Sequence, residues 1–132
     1  MGVDLLPRNK SINPFHSNWT GWRYIANVLD QAGVDITKMP FSNDGHYVNA
    51  RTARHWGNAI LAAIPNLYEE RIPNSAYQGG YYYRPLILEL DKAEELAMML
   101  KEGNIMRPRK VAIDFLKRFA DFCINSRGFW VY

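Results

Sequence analysis

The hydrophobic residues of this chain recur at two spacings, and each spacing names an element. Residues 2–6, GVDLL, are apolar on alternate positions and are closed by Pro7, which predicts a brief strand before a loop over residues 7–17. From residue 19 the period lengthens. At 100° per residue Trp19, Trp22, Ile25, Ala26, Val28, Leu29 and Ala32 fill one broad arc, while Thr20, Arg23, Asn27, Asp30 and Gln31 fall opposite. Ser17 or Asn18 can cap this helix by accepting a free amide of its first turn, and Gly33 ends it.

A second helical pattern starts at a cap on Asn49 and stops at Ile64, before Pro65. Ala53, Trp56, Ile60, Ala63 and Ile64 make its apolar face, and Arg51, Arg54, His55 and Asn58 share the opposite one. The NDG triplet at 43–45 reads as a tight turn leading into this helix. Residues 65–85 hold three prolines and the pair Gly79 and Gly80, so most of that stretch reads as irregular. The β preference of Tyr81, Tyr82 and Tyr83 predicts a strand running toward Leu88, which Pro85 would confine to a sheet edge or a bulge.

Asp91 and Glu94 resemble a capping pair for a helix to Lys101, with Ala93, Leu96, Ala97 and Leu100 inward and Gly103 as the stop. The last helix, 109–125, is apolar over more than half its circumference, with only Asp114, Lys117, Arg118 and Asp121 as a polar edge. The tail FWVY predicts a terminal strand. These elements together predict an α+β fold that is mainly α: about four helices packed around a central C-terminal helix, with two or three short strands, in a single domain over residues 1–132.

Composition narrows the function classes. With 132 residues, 48% hydrophobic and 14% aromatic, the chain has material for one compact core. A net charge of +3 tilts the surface toward anions without the basic density of a dedicated nucleic-acid binder, so nucleic acid is disfavoured as a partner. One cysteine, Cys123, excludes an internal disulfide framework and fits a reducing compartment; its place on the apolar arc of the last helix makes it a small hydrophobe. The N-terminal MGVDLLPRNK lacks the apolar core of a signal peptide, and no stretch approaches the roughly 20 apolar residues of a membrane span. A cytoplasmic protein with no membrane partner is expected.

Recognisable catalytic signatures are absent: there is no G-x-x-x-x-G-K, G-x-S-x-G or H-E-x-x-H, and no cysteine pair at zinc-finger spacing. Aligned as a calcium loop, NDG would put Pro40 and Arg51 where carboxylates are required, which rejects calcium by that route. His16, His46 and His55 could serve a metal or acid–base site only if two of them converged with Asp44 or another carboxylate. The expectation is no cofactor, no metal and no catalysis, with a small metal-dependent hydrolase on Asp44, His46 and His55 as an alternative.

Anion recognition has a more physical basis. The start of the second helix carries free amides and a partial positive charge, to which Arg51 and Arg54 add guanidiniums. Trp19, Trp22, Tyr24, Tyr47, Tyr68, Tyr77 and Tyr81 to Tyr83 supply rings that could stack on a ligand, the tryptophans reading chiefly as core. The cluster RPRK at 107–110 sits at a helix N-terminus, where cations oppose the dipole at a cost of a few tenths of a kcal/mol or more. A neighbour such as Glu94, Glu95 or Glu102, or an acidic partner, is expected to offset it.

The stretches MGVD, NWTGWR and SNDGHYVNARTA, within the first 65 residues or so, resemble a loose group of small uncharacterised phage and bacterial proteins. That resemblance implies a compact accessory protein of a phage or mobile element, and carries over no catalytic residue. The leading expectation is therefore a non-catalytic binding protein, of anti-defence type, that sequesters an anionic nucleotide-like molecule. Arg51 and Arg54 would meet phosphate, His55 and Asn58 would supply hydrogen bonds, and Tyr81, Tyr82, Tyr83 and Arg84 would form a ring-stacking lip. The alternative is a protein-binding inhibitor or assembly partner acting on a host protein through the tyrosine-rich surface. Homo-oligomerisation is left open.

Overall fold

The computed structural model describes residues 2–40, 44–74, 80–89 and 93–132. In chain order its elements are β1 (Gly2–Pro7), β2 (Phe15–Asn18), α1 (Trp19–Gln31), β3 (His46–Asn49), α2 (Ala50–Ala63), β4 (Leu67–Asn74), β5 (Gly80–Ile87), α3 (Ala93–Lys101), β6 (Ile105–Met106), α4 (Lys110–Asn125) and β7 (Gly128–Val131). Two antiparallel sheets result, one ordered β2-β1-β7-β3 and the other β5-β4-β6.

In the four-stranded sheet alternation sorts the side chains. Val3, Leu5, Phe15, Val48, Phe129 and Val131 are all buried, whereas Asp4, Leu6, His16, Tyr47 and Tyr132 are exposed. Against the buried face lie α1, α2 and α4, contributing Trp22, Ile25, Leu29, Trp56, Ile60, Leu116 and Phe119 to the same core cluster. Phe15 binds the layers together, with its ring 5.7, 5.6 and 5.8 Å from those of Phe115, Phe119 and Phe122. The buried Trp22 indole donates to the carbonyl of Pro40 at 2.7 Å, so its polar edge is satisfied.

The helix caps follow the sequence. Asn18 rather than Ser17 caps α1, its Oδ1 accepting from the Gly21 amide at 2.7 Å, and Asn49 caps α2 through Thr52 at 2.8 Å. Gly57 lets α2 approach α4: a Cβ there would stand 2.9 Å from the Ala120 carbonyl oxygen.

The expected fold class requires correction. Among the described residues, seven strands in two antiparallel sheets replace the two or three short strands anticipated. β2 and β3 have four residues each and β6 has two, too few for an alternating pattern to emerge. β4 occupies the segment read as irregular; it carries a fully buried glutamate, Glu69, which breaks the apolar alternation. α4 keeps an exposed edge, with Val111 63% exposed. α3 is peripheral: Ala97 is exposed and Leu96 and Leu100 are only half-buried, while its expected cap, Asp91, lies outside the described residues.

Candidate binding groove

An open groove of about 1060 Å³ runs between α1, β5 and the start of α4. Helical periodicity sets one wall: Thr20, Arg23, Tyr24 and Asn27 recur at i, i+3, i+4 and i+7 on α1. Tyr81 to Pro85 form the opposite wall along β5, and Arg109, Ala112, Phe115 and Arg118 close the end with α4. Arg23, Arg84, Arg109 and Arg118 thus line one groove, and among the described residues no aspartate or glutamate lines it.

The groove floor is fixed by a buried carboxylate. Glu69 accepts from the Arg109 backbone amide at 2.7 Å and from Arg109 Nε and Nη2 at 3.0 and 2.9 Å. It also accepts from the Tyr24 hydroxyl at 3.0 Å. These bonds answer the dipole conflict at the start of α4: Arg109 is the N-cap residue and offers no side-chain cap of its own, so the carboxylate of β4 takes that role. The offsetting acid is Glu69, not Glu94, Glu95 or Glu102.

The same bonds settle the ionisation states. Burial, then the neighbouring Glu69, pushes the Tyr24 phenol well above its ordinary range, so Tyr24 stays a proton donor. Its hydrogen bond to Glu69 raises the Arg109 guanidinium further, keeping it a fixed cation. Above that cation lies the Tyr83 ring, with the guanidinium carbon 3.9 Å from the ring centre. Arg71 sits 4.6 Å from the Tyr81 ring centre, and Arg84 meets Glu70 directly across the β4–β5 ladder at 3.2 Å. Among the described residues Arg23 and Arg118 have no ion-pair partner. The groove therefore presents two cations, Arg23 and Arg118, that the neighbouring Glu69 and Glu70 do not cancel.

β5 is a sheet edge, and Gln31 defines which way its backbone points. Gln31 Nε2 donates to the Pro85 carbonyl at 2.7 Å and Gln31 Oε1 accepts from the Ile87 amide at 2.9 Å, so residues 85 and 87 face away from β4. The Leu88 amide points the other way, onto Asn66 at 2.9 Å. Pro85 therefore occupies an outward position, where its missing N–H removes no ladder bond.

The structure separates the residues singled out in the sequence into two places. Tyr81, Tyr82, Tyr83 and Arg84 line the groove. Arg51, Arg54, His55 and Asn58 are exposed together on α2 and are not among the groove's lining residues, because α2 turns its other face onto α4. Sequence reasoning did not find Arg23, Arg118 or Glu69 as parts of one site. Only Arg109 carried a signal, its charge being on the wrong end of a helix.

The histidines are dispersed. His16 pairs with Asp4 at 2.6 Å beside the groove, whereas His46 and His55 are exposed on β3 and α2. Among the described residues no three His, Cys, Asp or Glu side chains cluster as metal ligands. Cys123 is buried, and burial pushes its thiol well above the ordinary range. Among the described residues no helix is long and apolar enough to cross a membrane. No family model matches the chain, and neither a curated protein nor a solved structure matches it.

Proposed function

We propose that this is a non-catalytic binding protein that captures an anionic partner in the groove between α1, β5 and α4. The observation that carries this reading is the lining: three consecutive tyrosines and four arginines, of which Arg23 and Arg118 have no ion-pair partner among the described residues. Such a wall attracts negative charge electrostatically and offers large, rigid contact surfaces of the kind enriched at binding hot spots. The acid–base groups of the site are committed to one another, since Glu69 is saturated with donors and Tyr24 is held as a phenol. That supports positioning in place of catalysis.

The openness of the groove favours a protein segment over a small molecule. Pockets for small ligands enclose most of the ligand surface, whereas here Tyr81 and Tyr82 are 46% and 47% exposed. We accordingly place the protein-binding reading first: an inhibitor or assembly partner acting through its tyrosine-rich surface. In the phage-like setting suggested by the N-terminal motifs, the partner would be a host protein. Sequestration of a nucleotide-like anion is the second reading, favoured by the Tyr83 ring stacked on the fixed Arg109 cation.

Fluorescence anisotropy with a labelled poly-glutamate peptide tests the first reading. Binding should weaken about tenfold or more in Arg23→Glu/Arg118→Glu, as expected for reversing two partly exposed charges, and change little in Arg51→Glu/Arg54→Glu. Equal loss in both variants would reduce the effect to overall charge. Calorimetry against a nucleotide panel tests the second reading, for which binding heat lost in Arg118→Glu is the expected sign.

A further inference from the structure

We propose that the partner's acidic segment binds as an added β-strand, pairing with the open edge of β5 at Tyr81 and Tyr83. The inference rests on the anionic-partner reading and specifies its geometry. Antiparallel strands alternate the direction of their backbone groups residue by residue. The Gln31 clamp fixes residues 85 and 87 as outward, so residues 83 and 81 are outward by the same alternation, while Tyr82 and Arg84 face Ile72 and Glu70 of β4. Among the described residues no hydrogen bond reaches the outward amides or carbonyls of Tyr81 and Tyr83.

Two halves of the same edge are thus treated differently. Over Pro85–Ile87 the edge is closed, by a proline that lacks a donor and a glutamine that supplies both a donor and an acceptor. Over Tyr81–Tyr83 it is open, and these residues line the groove together with Arg84 and Pro85. Exposed edges invite strand pairing, and proteins commonly blunt them with proline or a covering side chain. Here the blunting covers only the Pro85 end of the groove wall and leaves the tyrosine end of the edge open. A strand entering there would meet free backbone groups on one side and Arg23 and Arg118 on the other, so its side chains must be acidic to be accepted. Backbone pairing would supply affinity and the arginines the selection for charge. The Gln31 clamp limits the docked stretch to a few residues.

The test selects binders to the full chain from a displayed library of random linear nonapeptides, then uses the most enriched sequence as a synthetic peptide. The expected result has three parts: enrichment of acidic sequences, slowed hydrogen exchange at the Tyr81 and Tyr83 amides on binding, and an affinity loss of about tenfold or more when alternate peptide amides are N-methylated. Acidic peptides that bind without protecting those amides, and that tolerate N-methylation at every position, overturn strand addition while leaving the anion-binding groove intact. No acidic enrichment, or binding indifferent to Arg23→Glu/Arg118→Glu, overturns both.

Discussion

Removing the Glu69 carboxylate is the sharpest structural test, because that one group joins β4, α1 and α4. Glu69→Ala deletes the acceptor of four hydrogen bonds, three from Arg109 and one from Tyr24. Breaking a buried ion pair from one side typically costs about 3–5 kcal/mol, since the remaining charge is left without a partner. The Arg109 side chain is 36% exposed while that of Glu69 is fully buried, so the stranded guanidinium can rehydrate in part. We therefore expect the lower end, about 3 kcal/mol. With a urea m value of about 2 kcal/mol/M, the unfolding midpoint falls by about 1.5 M at unchanged m. Adding Arg109→Met to Glu69→Ala should recover part of the loss, as coupled neighbours do in a double-mutant cycle. A midpoint shift worth less than about 1 kcal/mol, or strictly additive losses in the double mutant, would refute the idea that this pair holds the groove floor.

Four further outcomes follow from named contacts. In alkaline titration the Tyr24 phenolate should appear only above the ordinary phenol pKa of 10.0, because burial and Glu69 raise its folded pKa. The stabilisation is complete below the unfolded pKa and is lost as pH rises above about 10, so Tyr24→Phe should flatten that part of the stability–pH curve. Gly57→Ala should destabilise by about 1–3 kcal/mol despite alanine's better helix propensity, as its Cβ would meet Ile124 Cγ1 at 2.8 Å and the Ala120 carbonyl at 2.9 Å; urea unfolding reads this. Cys123 should resist a disulfide-exchange reagent in the folded protein and react fully in denaturant, since the thiol is buried and kept protonated. Arg127 holds φ at +59°, so Arg127→Gly should be neutral or raise the thermal midpoint slightly by relieving left-handed strain.

The three core helices were legible because each buries one arc, and a 3.6-residue period over 13 or more residues is hard to mistake. The caps Asn18 and Asn49 and the edge position of Pro85 were legible for local reasons: a side chain that reaches its own next turn, and a ring that cannot donate. The short strands were not, because four residues carry too little pattern, and β3 owes its strand conformation to a partner far along the chain, Tyr47 pairing with Trp130. Glu69 was invisible as a core residue since a buried carboxylate depends wholly on Arg109 and Tyr24, 40 and 45 positions away. The tyrosine run stood out by composition, and its groove emerged only when α1 and α4 were brought against β5. The arginine stripe on α2 was read correctly as an exposed helix face, and the fold sets it apart from the tyrosines.

On the proposed reading, anions are taken by the arginine and tyrosine walls of the α1/β5/α4 groove. A two-dimensional ¹H–¹⁵N NMR titration of the labelled full chain with an unlabelled glutamate-rich peptide tests it most directly. Saturable shifts are expected at Tyr81 to Arg84 and at the Nε–H groups of Arg23, Arg109 and Arg118, with Arg51, Arg54, His55 and Asn58 unmoved. Shifts centred on the α2 stripe, or none that saturate, would contradict it.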